Sequence, residues 1–179
     1  MTGDDRARVA TLLGRPPLGD FEVVVRTPEG DPVVIRNAAL LDDGTPMPTR
    51  FWLVDPQLRV AVGRLEAEGG VRRAEGEVDG DALAAAHERY GAERDASIPA
   101  GHDGPRPSGG VGGTRTGVKC LHAHYAWFLA GGDDPVGAWV DAHLPSTTTR
   151  THPAPAGSRR RICADSAPTG TPVDNGGQG

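Results

Sequence analysis

The sequence predicts an α+β fold: a small antiparallel sheet of about three strands (a hairpin plus one) packed with four to five helices, followed by a disordered C-terminal tail. Three observations predict this class. Two alternating apolar segments flank a turn with Pro and Gly at residues 27–32, which is typical of a β-hairpin. Several longer segments repeat apolar residues every three or four positions, as amphipathic helices do. Beyond residue 144 both periodicities stop.

Length and composition indicate one domain. The chain has 179 residues, of which 37% are hydrophobic and 4% aromatic, which is enough for one modest core. We expect a single domain over residues 1–144 and a disordered tail over residues 145–179, since the tail is rich in Ser, Thr, Pro, Gly and Arg and buries too little surface to offset its ordering entropy. Because so lean a core is often supported by self-association, a homo-oligomer is also expected.

Charge, cysteine content and hydropathy exclude several classes of partner. The formal net charge is −5, whereas a general nucleic-acid-binding protein carries a basic surface. Two cysteines do not make a disulfide framework. The sequence has neither a signal-peptide pattern nor an apolar run of membrane-spanning length. We therefore expect a cytoplasmic protein that binds neither membranes nor nucleic acid in general.

The N-terminal part predicts one helix followed by three strands, over residues 4–13, 21–26, 33–36 and 50–54. A glycine and a proline pair end the helix. The first strand alternates, which places Phe21, Val23 and Val25 on one face. The third strand is rich in bulky side chains, as strands are.

Four more helices are predicted, over residues 56–68, 79–96, 118–130 and 135–144. Two of them begin with the same Asp-Pro pair, at Asp55 and Asp134, in which Asp caps the helix and Pro takes its first position. The pair Gly69-Gly70 is expected to end the first of the four. Residues 97–117 form a long Gly- and Pro-rich loop, and a loop of this length is either mobile or functional.

The segment G-V-K-C-L-H-A-H at residues 117–124 carries the densest set of chemically active side chains. In a regular helix over 118–130, Cys120 and His124 share one face, because they are four positions apart, and His122 points elsewhere. A zinc site would then combine Cys120 and His124 with Asp55 as a third ligand. No cofactor is predicted, and zinc is kept as an alternative.

Two other interpretations of this segment stay open. In the first, Cys120 is a small buried side chain and both histidines have partners within the fold. In the second, Cys120 is a reactive thiol, because a helix start and Lys119 would both lower its pKa, and His124 acts as its base. Asp55 has an alternative role too, as the cap of a helix.

A second candidate site is the glycine-rich loop that leads into the same helix. The free N–H groups and the dipole of a helix start favour an anion, and Arg115 and Lys119 add positive charge. With Arg50 and His122 they make up the predicted site for a phosphate-type anion. The loop is not a P-loop, because Val118 stands where that motif has Lys. The alternative is a flexible linker with solvated charges.

Three stretches carry a resemblance to a known family: D-G-T-P-M-P-T-R-F-W-L-V-D-P at residues 43–56, R-L-E-A-E-G-G at 64–70 and V-K-C-L-H-A-H at 118–124. Together they resemble domain-of-unknown-function family 501, found mainly in actinobacteria, over roughly residues 5–144. The resemblance implies no particular reaction. It implies a housekeeping context, since genes of the family often lie near a septum-formation initiator, enolase and an exopolyphosphatase.

The resemblance also bears on zinc. Many relatives have Cys where Thr27 stands and Cys or His where Asp55 stands, and those residues with Cys120 and His122 would make a zinc-binding set. Thr27 is no zinc ligand. The resemblance therefore implies either a family that binds no metal or a member that has lost part of the site.

The leading hypothesis is a non-enzymatic protein with an interaction or ligand surface around residues 50–55 and 117–124, in a housekeeping or cell-division context. Its partner would be another protein or a small anionic ligand. One alternative is an enzyme or binder that acts on a phosphate-type anion at residues 109–124. The other is a zinc-binding protein with a partly lost site.

Overall fold

The computed structural model describes residues 3–47 and 49–145, which contain a three-stranded antiparallel sheet and six α-helices. The α+β class and the hairpin-plus-one sheet are confirmed. In chain order the elements are α1 (Gly3–Leu13), β1 (Phe21–Arg26), β2 (Pro32–Asn37), β3 (Phe51–Leu53), α2 (Pro56–Ala67), α3 (Gly70–Glu77), α4 (Gly80–Asp95), α5 (Leu121–Leu129) and α6 (Pro135–His143). The disordered tail stays a prediction, because residues 146–179 lie outside the described residues.

The sheet has the order β1-β2-β3 and separates two apolar clusters. One face packs on the main core and presents the aligned residues Val25, Val34 and Leu53. The other face packs on α1 and presents Val23, Ile35 and Trp52. The prediction that Phe21, Val23 and Val25 share a face is therefore wrong for Val25. A register shift between Val23 and Val25 adds one residue to β1 and turns Val25 to the opposite face.

Helix α5 lies at the centre of the main core, packed against β3, α2 and α6. It is buried on nearly all sides, and α6 approaches it closely because Gly137 has no side chain. A Cβ atom at Gly137 would lie 2.3 Å from the Cβ of Phe128 and 2.8 Å from the carbonyl oxygen of His124. Although α5 is apolar, no helix within the described ranges is both long and apolar enough to cross a membrane.

Helix α3 was not predicted. The glycine pair ends α2 as expected, but Gly70 then begins a second helix after a left-handed turn at Gly69, where φ is 81°. A Cβ atom at Gly70 would lie 2.5 Å from the carbonyl oxygen of Leu65, so only glycine allows this sharp junction. The helix buries Gly70 and Ala74, and Val71 and Val78 pack partly against the main core. This short apolar spacing at residues 71, 74 and 78 was missed because the glycine pair before it was interpreted only as a helix end.

Side chains of helix α4 form hydrogen bonds to the backbone of the glycine-rich loop, residues 97–117, that was predicted to be either mobile or functional. The guanidinium of Arg94 is almost fully buried and donates from Nη1 to the carbonyl oxygen of Gly109 at 2.6 Å. His87 accepts a hydrogen bond at Nδ1 from the Val111 N–H at 3.1 Å and donates from Nε2 to the Gly117 carbonyl at 3.0 Å. Residues 109–117 are therefore packed into the fold, which a linker would not be.

Candidate functional site

Helix α5 begins at Leu121, three residues later than predicted. Cys120 is its N-cap residue and has an extended backbone, with φ −156° and ψ 146°. The prediction that Cys120 and His124 lie on one helix face is therefore wrong. The physical reason is that side chains from neighbouring helices bind the backbone N–H groups of Val118 and Leu121, so the chain is held in a non-helical path before α5.

Two carboxylates of the chain occupy the approach to α5. Glu66 of α2 accepts a hydrogen bond from the Leu121 N–H at 2.6 Å, and Glu75 of α3 accepts one from the Val118 N–H at 3.1 Å. The N–H groups and dipole of a helix start favour an anion, and Glu66 supplies it from within the fold. A phosphate-type anion at the predicted position would have to compete with these two side chains.

His122 lies between α5 and α2. Its Nδ1 is 3.1 Å from Oε1 of Glu66, and its Nε2 donates to the carbonyl oxygen of Arg59 at 3.1 Å. About a third of the side chain is exposed, at 32%. Both ring nitrogens are thus engaged by α2, and the exposed part of the ring faces a groove.

This groove, the Trp52 groove, has a volume of about 320 Å³ and lies between the end of α1, β3 and the start of α5. Its apolar lining includes Leu13, Trp52 and Leu53, and its polar lining includes Arg15, Arg59, Cys120 and His122. The guanidinium of Arg15 lies over the Trp52 ring, 5.3 Å from the ring centre, as in a cation–π pair. Arg59 donates from Nη1 to the Leu12 carbonyl at 3.2 Å. Among the described residues that line the groove there is no Asp or Glu.

The thiol of Cys120 lines this groove but is poorly suited to nucleophilic chemistry. Burial raises the pKa of the Cys120 thiol above its ordinary value, and the neighbouring Glu66 carboxylate raises it further. The interpretation of Cys120 as a reactive thiolate required a lowered pKa and His124 as its base, whereas His124 is hydrogen-bonded to Asp134 and not to Cys120.

His124 belongs to a different, fully buried cluster. Its Nδ1 donates to Oδ2 of Asp134 at 2.8 Å, while its Nε2 has no hydrogen-bond partner among the described residues. Oδ1 of Asp134 accepts from the N–H groups of Val136 and Gly137, both at 2.9 Å, and so caps α6. The ring of His87 lies 5.7 Å away from that of His124, and burial lowers the pKa of His87.

The structure does not bring together the three predicted zinc ligands. Asp55 caps α2 by accepting a hydrogen bond from the Leu58 N–H at 2.8 Å, Cys120 lines the Trp52 groove, and His124 binds Asp134. Over residues 3–47 and 49–145, no three His, Cys, Asp or Glu side chains are placed to hold a metal ion.

Arg50 lies at a second cavity, the Arg50 cleft, which has a volume of about 730 Å³ and is lined by β1, β2, residues 38–44, Ser97 and Pro99. The residue is 8% exposed. Its Nη1 donates to Oγ of Ser97 at 2.8 Å and to the Asn37 carbonyl at 3.3 Å. Its Nε is buried without a hydrogen-bond partner within the described part of the chain. Burial lowers the pKa of Arg50 from its very high ordinary value.

The predicted anion-binding residues therefore lie in three places. Arg50 lines the cleft and His122 lines the Trp52 groove, whereas Arg115 and Lys119 are exposed and line neither. Sequence reasoning missed Arg15 and Arg59. Nothing local marks either of them, because Arg15 follows the end of α1 and Arg59 lies on the exposed side of α2.

A family model described as "Protein of unknown function (DUF501)" matches residues 23–142. No curated protein and no solved structure matches the chain. The matched range contains β2, β3 and α2 to α5, nearly all of β1 and α6, and most of the lining of both cavities. Leu13 and Arg15, which close one end of the Trp52 groove, precede it.

Proposed function

This chain belongs to the DUF501 family, and from that premise we propose that it is a binding protein whose Trp52 groove receives an acidic segment of a partner protein. The observation that carries the proposal is the charge of the groove. Arg15 and Arg59 line it with no carboxylate among its described lining residues, in a chain whose formal net charge is −5. The nearest carboxylate that contacts the lining, Glu66, is engaged by His122 and by the Leu121 N–H. An acidic segment would meet complementary charge there, and complementary charge favours both encounter and specificity.

The apolar part of the groove supports a peptide as the ligand. Trp52 and Leu13 are half-buried, and Arg15 is already stacked on the Trp52 ring. Tryptophan and arginine are the residue types that most often dominate binding at protein interfaces. Acidic residues of a bound segment would pair with the arginines, and an apolar side chain between them would rest on Trp52.

The dimensions of the groove also favour a chain segment over a small molecule. Its volume of about 320 Å³ is at the lower end for a small-molecule site, and its arginines are exposed. Val60 and Arg64 of α2 are also exposed, so this helix carries further apolar and basic surface outside the groove. A protein partner is also compatible with the cell-division context that the family resemblance implies.

The chemistry of the groove supports binding over catalysis. Cys120 has a raised thiol pKa, and both nitrogens of His122 are engaged by α2. A nucleophile and a free base, which acyl or phosphoryl transfer through a covalent intermediate requires, are not paired within the described lining of the groove.

The test is fluorescence anisotropy with a labelled peptide that alternates Glu and Asp around one Phe, compared with the same peptide carrying Lys in place of its acidic residues. We expect the full chain to bind only the acidic peptide. The double substitution Arg15→Glu with Arg59→Glu should weaken binding by about tenfold or more, because two exposed ion pairs contribute roughly 1–2 kcal/mol together. Absence of binding to the acidic peptide would contradict the proposal.

The matched control is Arg115→Glu with Lys119→Glu, which changes the net charge by the same amount on an exposed surface outside the groove. We expect this variant to bind like the unmodified chain. Equal loss in both variants would mean that only net charge matters, and loss confined to the control would assign the anion to residues 109–124. Either result would contradict the proposal that the Trp52 groove is the binding site. Circular dichroism of both variants checks that each is folded.

A further inference from the structure

The second cavity carries an inference that does not depend on the Trp52 groove. We propose that the Arg50 cleft binds a small zwitterion, an amino acid with an apolar side chain, whose carboxylate pairs with Arg50. Arg50 has unused hydrogen-bond donors, charged side chains surround it, and the walls of the cleft are partly apolar.

Arg50 is a fixed cation with donors to spare. A guanidinium has five N–H donors, and the hydrogen bonds of Nη1 to Ser97 and Asn37 use only the two on that nitrogen. The buried Nε has no partner, and its nearest carboxylate oxygen, Oε1 of Glu93, is 3.8 Å away, beyond hydrogen-bonding distance. The other oxygen of Glu93 accepts from Nε1 of Trp127 at 3.0 Å, which holds this carboxylate in place.

A buried cation with an unpaired donor lowers the stability of a fold unless another interaction compensates for the lost hydration. Tertiary contacts hold Arg50 rigidly, since its own backbone N–H also donates to the hydroxyl of Tyr90 at 2.8 Å. Such a residue is preorganised, because it loses little conformational entropy when a ligand arrives. A planar carboxylate is the ligand group that the guanidinium fork matches best.

The surrounding charges indicate which kind of anion the cleft accepts. Arg36 also lines it but is paired with Glu22 across the β1–β2 hairpin. Asp20 and Asp42 line it as well, so the lining has three carboxylates and two guanidinium groups. Just outside the lining, Arg6 lies 3.9 Å from Asp20 and Glu93 lies 3.8 Å from Arg50, which leaves one carboxylate in excess. A dianion such as phosphate would be repelled by this balance, whereas one carboxylate at Arg50 and one ammonium group near the aspartates satisfy it.

The size and walls of the cleft complete the argument. A volume of about 730 Å³ falls within the range of small-molecule sites. Phe21, Ala39, Leu40 and Leu41 contribute apolar lining. The apolar side chain of the ligand would bury surface against them, while its carboxylate would pair with Arg50 and its ammonium group with the aspartates.

The test uses L-leucine and two truncated analogues, followed by chemical shifts of the backbone amides around Asn37 and Ser97 in the full chain. Leucinamide lacks the carboxylate, and 4-methylpentanoate lacks the ammonium group. We expect saturable shifts with L-leucine and affinities about tenfold or more weaker for each analogue, the loss typical when one charge-assisted partner is removed. Inorganic phosphate should bind more weakly than L-leucine. No saturable shift with L-leucine, or tighter binding of phosphate, would overturn the proposal.

Variants locate the binding in the cleft. Replacing Arg50 itself risks unfolding the chain, so the informative changes are Ala38→Trp, which fills the cleft, and Asp42→Asn, which removes an exposed carboxylate from its rim. Ala38→Trp should abolish binding of L-leucine. Asp42→Asn should weaken L-leucine severalfold without weakening 4-methylpentanoate, and Asp103→Asn, an exposed change outside the cleft, should do nothing.

Unchanged affinity for L-leucine in both Ala38→Trp and Asp42→Asn would place the binding elsewhere and refute the assignment. If Ala38→Trp does not fold, the comparison of Asp42→Asn with Asp103→Asn decides alone. The groove variant Arg15→Glu with Arg59→Glu should retain L-leucine binding, so failure of the peptide experiment and failure of this one are distinguishable.

Discussion

The two Asp-Pro helix starts are the same device in sequence but differ in what the fold makes of them. Asp55 is half-buried, and its side chain accepts one hydrogen bond, from the Leu58 N–H of its own helix. Asp134 is 2% exposed and accepts three, from the N–H groups of Val136 and Gly137 and from Nδ1 of His124 on α5. The first Asp is a local cap, and the second also joins two helices.

The difference comes from packing and not from the local sequence. Because Gly137 allows α6 to approach α5 closely, the cap at Asp134 is carried into the core, where it meets His124. Asp55 starts a helix nearer the surface, and its side chain is only half-buried. A cap signal therefore predicts where a helix begins but does not predict how much stability depends on it.

The largest effect is expected from removing each cap. Asp134→Ala leaves two backbone donors and the buried His124 without a partner, so we expect the free energy of unfolding to fall by about 3 kcal/mol. Asp55→Ala removes one partly exposed cap and should cost about 1 kcal/mol. Urea denaturation followed by circular dichroism measures both.

The proposed difference between the two caps would be contradicted if both substitutions lowered the free energy of unfolding by the same amount. Equal losses would mean that the contact between Asp134 and His124 contributes nothing beyond capping. An m value shared by the variants and the unmodified chain is the control, because it shows that the denatured states are comparable.

The same contrast explains how much of the fold could be predicted. Capping and periodicity are local, so α1, α2, α4, α6 and all three strands were placed within a few residues. The start of α5 was misplaced because Glu66 and Glu75, from helices more than 40 residues earlier, bind the backbone that precedes it. Local sequence patterns do not predict such tertiary contacts.

The candidate site follows the same rule. Cys120 and His122 stood out as residue types, and the structure does place them in one groove. Arg15 did not stand out, because it reaches that groove only through the packing of α1 against the sheet. Likewise, Arg50 was noticed as a charge on a strand, but its burial depends on Ser97, at the far end of α4.

A smaller effect is expected from acid, through the buried cluster of His87, His124 and Asp134. Burial lowers the pKa of His87 in the folded chain and outweighs the hydrogen bond to the Gly117 carbonyl, which raises it; the smaller influences of His124 and Asp134 lower and raise this pKa, respectively. Well above the unfolded pKa of about 6.5, the ring is neutral in both the folded and the unfolded chain, and stability does not depend on its protonation. As the pH falls below that value, the unfolded chain takes up the proton first, so the free energy of unfolding decreases.

The measurement is the free energy of unfolding at pH 7.5 and pH 5.5. His87→Gln keeps an acceptor for the Val111 N–H and a donor for the Gly117 carbonyl but cannot be protonated. We expect its loss of stability over this interval to be smaller than that of the unmodified chain. Asp55→Ser, remote from the cluster in its hydrogen bonding, should retain the full loss. An identical pH dependence in His87→Gln would contradict the role given to this histidine.

The smallest change in the free energy of unfolding is expected from serine substitutions at the two Asp-Pro helix starts. These substitutions distinguish the contribution of capping from that of the contact with His124. Serine caps helices about as well as aspartate, so Asp55→Ser should change the free energy of unfolding by no more than about 0.5 kcal/mol. Asp134→Ser can still cap α6, but it lacks the carboxylate that binds His124, and it should remain destabilised by more than 1 kcal/mol, roughly the value of one charge-assisted buried hydrogen bond. Thermal and urea unfolding of the two variants side by side measure this. If serine rescued both positions equally, the buried histidine would have no need of Asp134, and the two helix starts would be equivalent in energy as they are in sequence.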